Sequence, residues 1–159
     1  MELFPLTAHL YFCNSRGRTL YALLIGIDTY RTKPLRGCVK DAEDVEKYLV
    51  EDLKVYNGEN QIRVLHNEKA SRAGILQALV DLRMDARIKK GDPILIFYAG
   101  HGTEIEAPQG WEAGGQKIQT IIPHDFSEDA PVVHSIPDRT LSALIDMLAA
   151  EKGDNIVGN

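Results

Sequence analysis

An α/β fold built on an open, mostly parallel sheet with helices on both faces is the architecture that this 159-residue sequence predicts. Three observations carry it: apolar runs bounded by turn residues recur along the chain, amphipathic helical segments separate them, and the order is strand, helix, strand, helix, strand, helix, strand. Parallel neighbours joined by helices require right-handed crossovers, which set the helices against the sheet's two faces. A hydrophobic fraction of 44% with 26% charged residues is that of one ordinary globular domain, large enough to bury a core.

The elements follow in order. Residues 1–19 match no periodic template and lack the basic start, continuous apolar stretch and small-residue cleavage site of a secretory signal, so they read as an extension without an assigned role. The domain is expected over residues 20–159. "LYALLIGI" and "PILIFYA" are continuous apolar runs, the pattern of strands buried on both faces, and "QIRVLH" is a shorter strand between them. "KDAEDVEKYLVEDL" sets Ala42, Val45, Leu49 and Leu53 on one helical face. "SRAGILQALVDLRMDARI" does the same with Ile75, Leu79, Leu82 and Ala86, and Ser71 is placed to cap it. "RTLSALIDMLAAEK" groups Leu141, Leu144, Ile145 and Leu148, and "GDNIV" opens a last strand. Between the third strand and this helix, residues 103–138 are rich in Gly, Pro and acids around "IQTIIP", which predicts a loop carrying a small β-hairpin.

Several function classes are excluded. The net charge of −5 offers no basic footprint for nucleic acid, and no apolar run is long enough to span a membrane. Cys13 and Cys38 show neither zinc-ligand spacing nor a disulfide framework, which fits a reducing, cytoplasmic setting. "GIDTYRTKPLRGC" after the first strand is not a phosphate loop, and no GxSxG nucleophile elbow is present. What stands out is "ILIFYAGHG", a buried-looking strand delivering His101 between Gly100 and Gly102 at the sheet edge where α/β folds bind ligands. On spacing alone His101 is either a catalytic group or a turn residue flanked by glycines for backbone reasons.

Taken together, "YALLIGIDTY", "LRGCVKDAEDVEKYL", "ILIFYAGHG" and "IIPHDF" resemble the caspase-like cysteine peptidases, specifically the metacaspase-type branch, in order from about Leu20 to Val157. The resemblance implies a caspase-like sheet and makes His101 the general base and acid partner of a cysteine thiolate, a task for which imidazole's near-neutral pKa is suited. It makes Gly102 the backbone N–H donor to the oxyanion. The arginine with which true caspases hold an acidic P1 residue is matched by Leu35, whereas Cys38 and Asp41 match the wall of the metacaspase pocket for Arg or Lys. Without the resemblance, Asp41 is equally a first-turn helix acid and Cys38 a small packing residue. Asp125 and Asp138 resemble two acidic positions through which metacaspases bind Ca2+; Arg139 stands where a second aspartate is common, and calcium wants more oxygens than these two carboxylates offer.

One family element is missing. The nucleophile is expected in a DxC-like motif roughly 50 residues or more after the histidine, yet no cysteine follows Cys38, and "DNIV" resembles only the first half of that strand. The expectation is therefore the amino-terminal part of a caspase-like domain lacking its C-terminal strands, with a polypeptide substrate or a full-length relative as partner and no activity alone. An unpaired strand edge should then promote self-association. A non-catalytic pseudoenzyme that binds or regulates a partner is the alternative, and an unrelated α/β module is a third reading.

Overall fold

The computed structural model describes residues 17–56, 58, 60–107, 110–111 and 117–158. Four strands form a parallel sheet: β1 (Tyr21–Gly26), β2 (Ile62–His66), β3 (Ile94–Ala99) and β7 (Ile156–Gly158), in the order β2-β1-β3-β7. The helices are α1 (Cys38–Lys47), α2 (Arg72–Met84) and α3 (Asp138–Lys152). A second, antiparallel sheet, β4-β5-β6, is made of β4 (Gly102–Ile105), β5 (Ile118–Ile121) and β6 (Ile136–Pro137).

The alternation of side chains along β1 divides the core in two. Tyr21, Leu23 and Ile25 face a cluster with Ile75, Leu79, Leu82 and Leu148 from α2 and α3, whereas Leu20, Ala22 and Leu24 face Ala42 and Leu49 on the other side. Helices on both faces follow directly, and every residue of β1 is buried because both faces are covered. Leu23 and Leu24 are wholly buried, each side chain contributing about 2 kcal/mol by removal from water.

Differences from the sequence reading have local causes. The first helix begins at Cys38, earlier than expected, and widens into a π turn over Tyr48–Asp52, still directing Leu49 inward. The second starts as expected, with Ser71 Oγ accepting the Gly74 N–H at 3.1 Å, but stops at Met84. There the Asp85 carboxylate accepts the Arg87 N–H at 2.9 Å, a local turn that competes with the helix and leaves Ala86 exposed rather than in the stripe. The hairpin expected after His101 is present as β4 and β5, joined by a third strand, β6. Residues 1–16 of the extension, Cys13 among them, lie outside the described residues. Its end is docked, with Arg18 donating to Gly91 O at 2.7 Å and the Thr19 N–H to the Asp92 carboxylate at 3.3 Å.

Candidate active site

His101 sits in the two-residue link between the sheets, after β3 and before β4, where the carboxyl edge of the parallel sheet opens. Its main chain is held on both sides. The N–H donates to Tyr30 Oη at 2.9 Å, and the carbonyl accepts from Tyr98 Oη at 2.8 Å and from the Ile122 N–H at 2.9 Å. The imidazole lies 4.6 Å from the Tyr30 ring, tilted by 48°. Nε2 is 2.7 Å from the main-chain carbonyl of Lys33. A carbonyl can only accept, so Nε2 carries the hydrogen and a neutral ring leaves Nδ1 as its proton acceptor. Lys33 holds φ at 55°, a left-handed conformation costly for a residue with a side chain, in the loop that aims this carbonyl.

The flanking glycines differ. A Cβ on Gly100 would lie 2.5 Å from Tyr30 Oη and 2.6 Å from Tyr98 Oη, so the phenol pair occupies the space that a side chain would need. A Cβ on Gly102 would meet only Thr120 O, at an ordinary 3.5 Å. The ladder adds a second distinction. Gly102 pairs with Ile121, and the adjoining bond runs from the Ile122 N–H to His101 O, the pattern of a non-hydrogen-bonded pair. The Gly102 N–H therefore points away from β5, on an edge strand, beside a cleft of about 500 Å3 lined by Gly100, Glu104, Gln119 and Asp138 among others.

Asp28, which the sequence reading did not single out, organises the start of α1. Its carboxylate accepts the Cys38 N–H at 2.9 Å and the Val39 N–H at 3.4 Å, serving as the cap that Gly37 cannot supply. Asn67 Oδ1 in turn accepts the N–H groups of Asp28 and Thr29 at 2.9 and 3.0 Å. Burial pushes the half-buried Cys38 thiol up, and the negative charges of Asp28 and Asp41 push it further. Cys38 is thus held as a thiol. Asp41 is exposed one turn along, so the carboxylate drawn in against the helix start is Asp28. Leu35 packs against the main core, leaving no cation at the position where caspases place one. Gly26 is required because a Cβ there would come within 2.6 Å of Cys38 O, where α1 abuts the sheet.

Asp125 and Asp138 serve other helices. Asp125 Oδ1 accepts the Arg72 N–H at 2.7 Å at the start of α2, and Asp138 Oδ1 accepts the Arg139 N–H at 2.6 Å at the start of α3. Among the described residues no group of three or more His, Cys, Asp or Glu side chains is arranged to hold a metal ion. Calcium takes six to eight oxygens; the donors formed by these two carboxylates do not fit it by themselves.

The signal for the overlooked residues was in "IGIDTY": Asp28 and Tyr30 come directly off the carboxyl end of β1, the edge where His101 also emerges. Tyr98 and the Lys33 carbonyl carried no such signal.

Comparison with known proteins identifies the family and the fold. Residues 21–153 match the family described as metacaspase, peptidase C14 domain. Metacaspase-6 of Arabidopsis thaliana is 35% identical over 133 residues, covering 80% of this chain and 33% of its own length. Metacaspase-1B of Neurospora crassa is 31% identical over 147 residues, covering 86% and 33%. The chain thus spans about a third of the length of these curated relatives. A solved structure of a Geobacter sulfurreducens protein superposes with a TM-score of 0.61 at 20% identity, over 88% of this chain and 48% of that one, a likeness of fold. With the family match spanning β1 to the end of α3, this chain belongs to the metacaspases of the C14 peptidase family.

Proposed function

We propose that this chain supplies the histidine half of a cysteine endopeptidase site that cleaves after Arg or Lys. The observation that carries the reading is the pairing of His101, with Nε2 tied to Lys33 O and Nδ1 left to accept, and a Gly102 N–H directed off its ladder beside an open cleft. In this reading Nδ1 takes the thiol proton as sulfur attacks the scissile carbonyl, the Gly102 N–H meets the oxyanion, and the imidazolium returns the proton to the leaving amine. Water then releases the acyl group from sulfur. The nucleophile belongs at the carboxyl end of the β7 track, since β7 runs parallel to β3 from the Ile94 and Ile156 pair onward and β3 leads to His101.

Residues 1–159 hold only Cys13 and Cys38, and the raised Cys38 thiol is a poor substitute for a thiolate. By themselves these residues are expected not to cleave peptides. That same observation supports the second reading, a non-catalytic pseudoenzyme that binds or regulates a partner. For specificity, the negative charges of Asp41 and Asp28 near Cys38 and Leu35 in place of a cation favour a basic P1 side chain. No step is routed through calcium. We place the activity in the cytoplasm, where the thiol stays reduced, and we propose self-association through β7, which has β3 on one side and an exposed Val157.

The test joins this segment to a metacaspase nucleophile strand and assays peptides with Arg, Lys or Asp at P1. Cleavage after Arg and Lys, lost in His101→Ala and reduced about tenfold or more in Asp41→Ala, is the expected result. Cleavage after Asp overturns the specificity, and activity that survives His101→Ala overturns the mechanism. Failure of the joined protein to cleave, with the fold intact, promotes the pseudoenzyme.

A further inference from the structure

We infer that Tyr30 and Tyr98 are positioning residues for His101, a phenol pair that fixes both main-chain groups of the proposed base and makes Gly100 obligatory. This rests on the reading of His101 as the base, and extends it to residues outside the cleft chemistry.

One assignment of the phenol protons serves both main-chain groups of His101. Each phenol has a single proton. Tyr98 Oη lies 2.8 Å from His101 O and 3.0 Å from Ile122 O, while Tyr30 Oη lies 3.1 Å from Ile122 O and accepts the His101 N–H at 2.9 Å. Giving the Tyr98 proton to His101 O and the Tyr30 proton to Ile122 O satisfies both carbonyls and leaves Tyr30 oxygen free to accept from His101. The two oxygens stand 3.3 Å apart, and with both protons given to carbonyls no hydrogen bond joins them in this assignment. Both hydroxyls are held in the protonated state this requires, since burial is the largest influence raising each above the ordinary tyrosine range.

The pair reaches His101 from two strands of the sheet. Tyr98 belongs to β3, and Tyr30 follows β1, with its ring buried to 7% exposure. The histidine itself is clamped through its backbone, so its origin is fixed while the residue stays half-buried. The Tyr30 ring also packs beside the imidazole in a tilted contact. The ring contact and the Lys33 carbonyl orient the imidazole, and the main-chain bonds fix the backbone that carries it.

The two tyrosines differ in what their loss leaves behind. In Tyr30→Phe the His101 N–H has no acceptor, whereas in Tyr98→Phe the His101 carbonyl keeps the Ile122 N–H. Phenylalanine keeps both rings, so packing is preserved. The experiment is imidazole 15N NMR with amide hydrogen exchange on the 159-residue chain and its two variants. In the expected wild type the neutral form of the His101 ring carries its hydrogen on Nε2. In Tyr30→Phe the His101 amide should exchange about tenfold faster, one hydrogen bond's worth, and the ring should show a mixture of tautomers, while amides of β1 exchange as before. Tyr98→Phe should show the same changes at smaller size. A His101 amide and tautomer unmoved in Tyr30→Phe, or changes spread equally over β1, overturn the inference. Because neither readout uses peptide cleavage, its failure is distinct from failure of the peptidase reading, which is decided by His101→Ala in the joined protein.

Discussion

On the β3 side of His101 the chain is packed to contact, and on the β4 side it faces open space. Gly100 meets two phenol oxygens where its Cβ would go, while Gly102 meets one carbonyl at a comfortable distance and turns its N–H outward. In sequence the two residues look alike, a matched pair around a histidine. In the fold one glycine is demanded by packing and the other is tolerated by packing and left to chemistry. A motif of identical letters can thus encode a rigid mount on one side and an approach route on the other.

The largest effect expected from this contrast is catalytic. In the joined, nucleophile-bearing protein, Gly102→Pro removes one N–H that the ladder does not use, at the first residue of an edge strand where proline is tolerated. Loss of an oxyanion donor costs about 100-fold to 1000-fold in kcat, so that drop should appear in steady-state kinetics with the melting temperature retained. A variant that keeps its kcat would place the oxyanion elsewhere.

The next effect is structural and reverses the ranking. Gly100→Ala forces the Tyr30 and Tyr98 hydroxyls apart and should cost about 1–3 kcal/mol by overpacking, read in urea unfolding of the chain. Gly102→Ala should stay within about 0.5 kcal/mol of the parent. Equal losses at the two positions would erase the difference between the sides.

The contrast also marks what the sequence could and could not reveal. The parallel sheet and its helices were legible because apolar runs and 3.6-residue stripes report burial directly, as Leu23, Leu24, Ile75 and Leu148 bear out. His101 was legible as a candidate because a strand end between glycines is unusual. Its support was not: Tyr30 is 71 residues from His101 and Lys33 is 68, and contacts at that separation follow from topology rather than from local pattern. The end of α2 departs from its stripe for the opposite reason, a short-range Asp85 turn overriding a pattern that runs on to Ala86 in the sequence.

A smaller effect is set by pH and belongs to the packed side. The folded state holds Tyr30 and Tyr98 above the ordinary tyrosine pKa, chiefly through burial. A raised folded pKa means that the stabilisation is present below the unfolded value, about 10, and is lost as pH rises beyond it. The melting temperature should therefore fall in the alkaline range above about pH 10, and Tyr98→Phe should flatten that fall. A parent whose alkaline slope is unchanged by the substitution would show that the phenol pair is not what alkali attacks.

The smallest effect concerns the two carboxylates near Cys38, which repeat the contrast between a packed group and an open one. Asp28 is hydrogen-bonded into the start of α1, and Asp41 is exposed. Both raise the thiol, Asp28 more than Asp41, on top of burial as the leading cause. The sign is the same as for the tyrosines: the folded state favours the protonated sulfur, so the stabilisation is complete below the unfolded thiol pKa of about 8.5 and declines as pH rises through the folded value. Alkylation tracks the thiolate and should be slow in the folded chain near pH 8. Asp28→Asn keeps an oxygen to accept the Cys38 N–H while removing the charge, so it should speed alkylation, since losing an anion beside the sulfur favours the thiolate. Asp41→Asn should speed it less, because solvent already screens an exposed carboxylate. If Asp41→Asn proves the stronger of the two, the exposed acid governs this corner of the site, and the division between a packed mount and an open approach does not extend to α1.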